Sequence, residues 1–162
     1  MDKLGIIHVR LDERLIHGQV ATMWLGNLGI TRVMIVDDGV VKDELAKASL
    51  KTAVPGGLRL SILKTETAAA RLLEGIYQDQ RVMIICKQID TIFRLIELGV
   101  PIDAFNLGNT SKREGTIKVT KSVFLTNEDI ETIKQLEKNG VTVTSQMVPM
   151  EDKLPFSTFF ND

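Results

Sequence analysis

Short apolar runs alternate along the chain with longer segments in which apolar residues recur at helical spacing. The short runs predict β-strands, and the longer segments predict helices. The predicted strands cover residues 4–10, 31–38, 59–64, 81–87 and 103–107. The predicted helices between them cover residues 18–28, 42–53, 66–77 and 91–98. This alternation of strand and helix is typical of a parallel sheet.

The pattern changes after the fifth predicted strand. Residues 117–125 predict short strand pieces around a turn. Thr126 and Asp129 then form a helix-capping pattern ahead of apolar residues at helical spacing, and Gly140 ends that helix. A last strand is predicted over residues 141–148.

Two of the apolar runs, residues 33–36 and 82–85, contain no polar side chain. Strands of this kind are buried on both faces, as happens when helices cover both sides of a parallel sheet. The sequence therefore predicts an α/β fold, with an open, mostly parallel central β-sheet of about seven strands and helices on both faces. Because no linker-like stretch divides the chain, we interpret residues 1–162 as one domain.

The charge balance limits the classes of partner. The chain has 20 Lys and Arg against 21 Asp and Glu, and this balance gives no overall attraction to nucleic acid or to an anionic membrane. The single cysteine, Cys86, excludes an intramolecular disulfide. The first residues lack a signal-peptide pattern, and no stretch approaches the roughly 18 apolar residues of a membrane span, so we expect a cytoplasmic protein.

The loop after the first predicted strand concentrates charge at the edge of the sheet where parallel sheets bind ligands. Arg10 and Arg14 can each offer a planar fork of donors to a tetrahedral anion. Backbone N–H groups at Gly18 and Gln19 would point the same way if a helix starts there. With His17 among them, the loop is predicted to bind an oxyanion such as phosphate.

More than one chemistry is open to His17 in such a loop. An imidazole can act as a general base, or it can attack phosphorus itself and hold the group covalently. A covalent carrier needs only anion donors and an exposed ring face. Asp12 or Glu13 would orient the ring or position an arginine. A charged loop whose histidine merely helps to start a helix fits the composition equally well.

Residues 10–20, Arg-Leu-Asp-Glu-Arg-Leu-Ile-His-Gly-Gln-Val, resemble the active-site signature of one family of IIB subunits. It is the mannose/fructose/sorbose family of the bacterial sugar phosphotransferase system (PTS). The resemblance continues through residues 33–38, 99–101 and 106–109. It implies a phosphohistidine–sugar phosphotransferase that needs no cofactor. Such a protein accepts a phosphoryl group from the IIA subunit and passes it to a sugar bound by the membrane subunits IIC and IID, with which it associates peripherally.

The same resemblance assigns roles to individual residues. His17 would be the phosphohistidine nucleophile and would attack through Nδ1. Arg14 and Arg10 would stabilise the charge of the transferring group, and Asp12 would fix the loop geometry. The residues assigned to phosphate binding around them are Gly18, Gln19, Asn106, Gly108 and Asn109.

Two positions bear on finer properties of the family. Many members have two glycines where this chain has Gly108 and Asn109. The pair Cys86-Lys87 resembles the N-acetylgalactosamine-type IIB chains, so the sequence leans towards that sugar over mannose, fructose and sorbose.

Two hypotheses from other functional classes remain beside the carrier. Ile16-His17-Gly18 is similar to the Arg-His-Gly nucleophile of histidine phosphatases, but Ile16 stands where that motif has arginine. A hydrolase of this kind also needs a second histidine late in the chain, and the only other one is His8. The other hypothesis is a phosphate-binding module without catalysis.

Metal and nucleotide sites are not expected. The histidines and the cysteine form no compact set of ligands, and the glycine-rich nucleotide loops are absent. Asp37 and Asp38 would suit a magnesium ion, but Asp38-Gly39 is also a turn signal, and we favour the turn.

Overall fold

The structure is a computed structural model that describes residues 1–160, without the side chains of Gln19 and Val20. The strands are Ile6–Asp12 (β1), Arg32–Val36 (β2), Arg59–Leu63 (β3), Val82–Cys86 (β4), Ala104–Asn109 (β5), Thr116–Thr120 (β6), Val123–Thr126 (β7), Thr142–Ser145 (β8) and Leu154–Pro155 (β9). The helices are Gly18–Leu28 (α1), Asp38–Val41 (α2), Glu44–Ala53 (α3), Thr65–Leu73 (α4), Ile89–Glu97 (α5) and Asn127–Lys138 (α6). Two 3₁₀ turns cover Asp2–Leu4 and Phe156–Phe159.

Seven strands form the central sheet in the order β3-β2-β4-β1-β5-β8-β9. Neighbouring strands run parallel up to β8, and the short β9 pairs antiparallel with β8. β6 and β7 form a separate antiparallel hairpin. The predicted open, mostly parallel sheet of about seven strands is confirmed. Its seventh strand is β9, which the sequence pattern did not predict, while residues 117–125 lie outside the sheet.

Helices cover both faces of this sheet, as predicted. Helices α4, α5 and α6 pack into the core on one face, and α1, α2 and α3 pack on the other. Alternate residues of β4 divide between the two faces, with Val82, Ile84 and Cys86 on the first and Met83 and Ile85 on the second. All of them are buried, so the strand carries a continuous apolar run.

The first strand is shifted relative to its predicted position, because it covers Ile6–Asp12 instead of residues 4–10. The residues before it form a 3₁₀ turn that ends at Gly5, whose φ of 89° lies in the left-handed region. At its other end, β1 continues to pair with β5 as far as Asp12, which lies opposite Asn109. Arg10 and Asp12 therefore belong to the strand and point to the same side of it.

The turn predicted at Asp38-Gly39 is instead the first turn of the short helix α2. Asp37 caps this helix, because its Oδ1 accepts a hydrogen bond of 2.9 Å from the backbone N–H of Val40. Asp38 accepts bonds from the backbone N–H of Thr65 at 2.8 Å and from its hydroxyl at 3.0 Å. These contacts give both carboxylates structural partners.

Strand β1 lies near the middle of the sheet, between β4 and β5. It leads into α1 on one face, whereas β4 leads into α5 and the segment after β5 leads into α6 on the other. Connections that leave neighbouring strands for opposite faces open a crevice at the carboxyl edge of the sheet. The loop between β1 and α1 lies at this crevice.

Candidate active site

The β1–α1 loop is fixed by hydrogen bonds to Asp12 and by the buried side chains of its central residues. The backbone N–H of Arg14 donates to Oδ1 of Asp12, and the backbone N–H of Leu15 donates to the carbonyl of Asp12, both at 3.0 Å. Leu15 has a φ of 60°, a left-handed conformation that is unusual for a bulky residue. Leu15 and Ile16 are buried in the core under α1. Because these two side chains anchor the loop, the next residue, His17, emerges at the surface.

His17 occupies the N-cap position of α1 with an extended backbone, and its ring makes no capping hydrogen bond. Its side chain therefore does not cap the helix. The first turn of α1 contains no acidic residue, so no carboxylate there compensates the partial positive charge of the helix N-terminus. Gly18 follows with a φ of 48° and is exposed. The side chain of Gln19, which the sequence assigned to phosphate binding, lies outside the described part of the chain.

Asp12 is a buried carboxylate shared by two arginines. Its Oδ2 accepts from Nε of Arg10 and from Nη2 of Arg14, both at 3.3 Å. Its Oδ1 accepts from the backbone N–H of Arg14 at 3.0 Å and from the Nε of Arg14 at 3.3 Å. The carboxylate thus fixes both the backbone and the guanidinium of Arg14.

The two arginines differ in access. The side chain of Arg10 is 2% exposed, whereas that of Arg14 is 28% exposed. Arg10 makes three further hydrogen bonds. Its Nη1 donates to the side chain of Asn106 and to the carbonyl of Gln146, the latter at 3.0 Å. Its Nη2 donates to the carbonyl of Met147 at 2.9 Å. Burial lowers the pKa of Arg10 below the ordinary arginine value, and the charge of Asp12 opposes that shift. Arg14 is thus accessible to solvent, whereas the donors of Arg10 are bonded within the protein.

Asn106 and Gly108 lie against Arg10 instead of facing solvent. A Cβ atom at Gly108 would lie 2.2 Å from Cζ of Arg10, so the guanidinium packs directly on a bare backbone. Asn106 also donates from Nδ2 to the carbonyl of Gln146 at 2.9 Å. We call Arg10, Asp12, Asn106 and Gly108 the site floor.

The exposed side of the site consists of Glu13, Arg14 and His17, which we call the site rim. The third wall residue predicted from the sequence, Asn109, is half-buried, and its carbonyl accepts a 2.9 Å bond from the backbone N–H of Glu13. It therefore joins β5 to the start of the rim.

The second histidine, His8, has a different environment. Its ring stacks on that of Trp24, with centroids 4.8 Å apart and planes 19° apart, and its Nε2 lies 3.5 Å from Oδ1 of Asn106. Burial is the main cause that lowers the pKa of His8 from 6.5 to about 4, and the charge of Arg10, which also lies over the Trp24 ring, acts in the same direction. His8 is therefore a partly buried residue that is neutral near pH 7.

Sequence reasoning missed the long-range contacts of the site. The carbonyl of Met147 accepts from both Arg10 and the indole N–H of Trp24, which is itself buried. Glu13 contacts the segment after β5 through Ser111 and Arg113. These partners lie about a hundred residues or more from the loop, and no local pattern in the sequence marks them.

Among the side chains that the structure describes, no group of three or more His, Cys, Asp or Glu residues is close enough together to hold a metal ion. Within residues 1–160, none of the helices has both the length and the apolar character needed to cross a membrane.

Comparison with known proteins gives consistent matches over almost the whole chain. A family model described as the PTS system sorbose subfamily IIB component matches residues 6–162. The sorbose-specific EIIB component of Klebsiella pneumoniae is 33% identical over 145 residues, which cover 90% of this chain and 88% of that protein. The mannose-specific EIIAB component of Escherichia coli K12 is 32% identical over 153 residues, or 94% of this chain and 47% of that protein.

A solved structure agrees with these relatives. The crystal structure of the IIBSor domain of the sorbose permease from Klebsiella pneumoniae superposes with a TM-score of 0.92 at 31% identity and covers 96% of each chain.

Proposed function

The chain belongs to the sorbose subfamily of PTS IIB components, phosphotransferases that act in sugar uptake, and we propose that His17 is the residue that carries the phosphoryl group. The family predicted from residues 10–20 is thereby confirmed. Neither a histidine-phosphatase-like hydrolase nor a non-catalytic phosphate-binding module is supported by these matches. The observation that carries the proposal for His17 is its position, exposed at a helix N-terminus and three residues after an arginine held by Asp12.

The proposed reaction moves a phosphoryl group between two imidazoles. The lone pair of Nδ1 on His17 attacks phosphorus in line with the bond to the donor histidine. That bond breaks, and its electron pair returns to the donor ring. Negative charge on the three equatorial oxygens is balanced by the guanidinium of Arg14 and by the N-terminus of α1.

In this proposal, the site rim contacts the phosphoryl group and the site floor positions the rim. Arg14 meets the phosphoryl group, because it is the accessible arginine. Arg10 acts indirectly, since its donors are used by Asp12, Asn106 and backbone carbonyls. It holds Asp12, which in turn orients Arg14. This refines the role that the sequence assigned to Arg10, and it makes Asn106 and Gly108 supports for Arg10 instead of ligands of the phosphate.

As a PTS IIB component, the protein works together with IIA and IIC components. We propose that IIA is the phosphoryl donor, which agrees with a relative named for a joined EIIAB component. We also propose that the membrane subunit IID and a bound sugar complete the acceptor side, and that the protein meets them at the membrane surface from the cytoplasm. Residues 1–162 would serve as one IIB domain, since the family match runs over residues 6–162.

The sugar is not selected by overall similarity. Relatives named for sorbose and mannose are 33% and 32% identical to this chain. The lean towards N-acetylgalactosamine rests on Cys86-Lys87, and Cys86 is fully buried at the end of β4, where burial raises the pKa of its thiol. Cys86 thus has no access to a sugar, and the lean stays a prediction from resemblance alone.

A labelling experiment tests the proposal for His17. The protein is incubated with phosphoenolpyruvate, the two general phosphotransferase proteins and a cognate IIA, and the adduct is mapped by mass spectrometry. We expect an acid-labile, base-stable phosphohistidine at His17, which disappears in His17→Ala. The matched control is His8→Gln, which removes the other imidazole and should retain the label. A label that persists in His17→Ala would assign the carrier to another residue.

A further inference from the structure

Glu13 makes a set of contacts that differ from those of its neighbours in the loop. Asp12 before it and Arg14 after it bind each other, whereas Glu13 reaches across to the segment that follows β5. Its Oε2 accepts from the backbone N–H of Ser111 at 2.9 Å and from the Ser111 hydroxyl at 2.6 Å. Its Oε1 accepts from Nη1 of Arg113 at 2.9 Å. One carboxylate thus receives three hydrogen bonds from a segment about a hundred residues away.

Arg113 extends this connection to a helix. Its Nη2 lies 3.8 Å from Oδ2 of Asp129 in the first turn of α6. Asp129 is itself fixed, because it forms a capping box with Thr126. We call Glu13, Ser111, Arg113 and Asp129 the loop latch. It joins the β1–α1 loop, the β5–β6 connection and α6.

The segment that follows β5, to which Glu13 is bonded, has further hydrogen bonds at its start. The hydroxyl of Thr110 donates to the carbonyl of Phe124 and accepts from its N–H, at 2.6 and 2.7 Å. Ser122 donates from its hydroxyl to the carbonyl of Gly108 at 3.0 Å. These bonds join the β6–β7 hairpin to the end of β5, so Glu13 is bonded to a segment that has its own tertiary contacts.

We propose that Glu13 is a positioning residue for phosphoryl transfer, and that the loop latch holds the β1–α1 loop in the geometry that His17 and Arg14 need. This inference rests on the proposed carrier function of His17. Arg10 and Asp12 hold the loop from inside the sheet, and Leu15 and Ile16 hold it from the core. The latch supplies the restraint on the remaining side, facing the hairpin.

The latch is suited to a test by substitution because its side chains are partly exposed. The exposed fractions are 25% for Glu13, 47% for Arg113 and 19% for Asp129. Ion pairs in such positions contribute little to global stability. Loss of the latch should therefore leave the protein folded and change the placement of the loop.

The test compares transfer from phospho-IIA to Glu13→Ala and to the wild type. Small misplacements of reacting groups lower the rate of transfer strongly. We therefore expect kcat of Glu13→Ala to fall about ten- to hundredfold, while its KM for phospho-IIA stays within about twofold of the wild-type value. Glu13→Gln keeps an oxygen acceptor for Ser111 and should recover most of the rate. An exposed glutamate far from the site, Glu97, pairs with Arg94 at 3.8 Å and provides the control Glu97→Ala, which should behave as the wild type.

A second comparison tests whether the latch acts as one unit. Adding Arg113→Ala to Glu13→Ala should lower kcat no further, since both changes break the same connection. An unchanged kcat in Glu13→Ala would overturn the proposal. A raised KM with unchanged kcat would also overturn it, because that pattern assigns Glu13 and Arg113 to contact with the donor protein.

Amide hydrogen exchange tests the latch proposal independently of the proposal that His17 carries the phosphoryl group. In the unphosphorylated protein, we expect the amides of residues 14–17 to exchange faster in Glu13→Ala than in the wild type and in Glu97→Ala. Equal exchange would overturn the latch even if His17 carries the phosphoryl group. Conversely, a wild-type protein that takes no label would end the carrier proposal, while the exchange data would still decide whether the latch orders the loop.

Discussion

The site floor and the site rim come from the same stretch of chain, yet they have opposite properties. Asp12 and Arg10 in the floor are 3% and 2% exposed, and their polar atoms are bonded within the protein. Arg14 and His17 in the rim, only a few residues further on, are open to solvent. The comparison indicates that an exposed arginine of the rim is held in place by a carboxylate that is itself buried.

The alternation of β1 explains how one strand supplies this support. Val9 and Leu11 point into the core on one face of the sheet, and His8, Arg10 and Asp12 lie on the other face, towards α1. A polar stripe beneath a helix is stable only if every charge has a partner. The carbonyls at residues 146–147 and the side chain of Asn106 provide the partners for Arg10.

The largest effect on stability is expected for Arg10→Ala in the floor. Removing one partner of a buried charge pair leaves the carboxylate of Asp12 with less compensation, so we expect a loss of about 3–5 kcal/mol in the free energy of unfolding. Urea denaturation measures it. Arg81→Ala is the matched control, because Arg81 also donates to two backbone carbonyls but is exposed, and it should lose about 1 kcal/mol or less. Equal losses would show that burial does not distinguish Arg10 from an exposed arginine.

Arg14→Ala tests the rim, where we expect a large effect on the rate of transfer and a small effect on stability. We expect the rate of phosphoryl transfer from phospho-IIA to fall about 10²- to 10³-fold, as for loss of one donor to a developing anion. The free energy of unfolding should change by no more than about 1 kcal/mol, because Arg14 is partly exposed. Stopped-flow transfer and urea denaturation measure the two quantities. Arg14→Lys keeps the charge without the planar fork and should give an intermediate rate. A normal rate in Arg14→Ala would remove Arg14 from the mechanism.

Gly108→Ala probes the packing of the floor without removing a charge. Its new methyl group would overlap the guanidinium of Arg10, so we expect a loss of about 1–3 kcal/mol, the usual range for overpacking. Thermal and urea unfolding report this loss, and a slower phosphoryl transfer should accompany it. At Gly56 a Cβ meets nothing within 4 Å, so Gly56→Ala serves as the control. A fully stable Gly108→Ala would show that Arg10 has room to move.

The sequence predicted most of the elements and the charged loop after β1, because both leave local patterns. The five buried residues of β4 follow from a continuous apolar run, and the capping box at Thr126 follows from the spacing of Thr126 and Asp129. The difference in burial between Arg10 and Arg14 left no such pattern. It depends on which segment covers Arg10, and the carbonyl of Gln146 lies 136 residues away.

Other differences between prediction and structure have the same origin. Asp38-Gly39 has the composition of a turn, and nothing local in the sequence marks the bonds that Asp38 accepts from Thr65 in another segment. The need for glycine at position 108 likewise arises from a side chain on a neighbouring strand. Local sequence reports the face on which a residue lies, and it does not report what packs against that face.

The smallest expected effect concerns His8, which continues the polar stripe of the floor on β1. Because burial lowers the pKa of His8 to about 4 from 6.5, the unfolded chain takes up this proton at a higher pH than the folded protein. The contribution of neutral His8 to stability is therefore complete above about pH 6.5 and is lost as the pH falls towards 4. We expect about 1–2 kcal/mol of such loss, less than the full shift implies, because the ring is partly exposed. Urea unfolding at several pH values measures it, and His8→Gln should flatten that part of the curve. An unchanged slope in His8→Gln would assign the acid sensitivity to other groups.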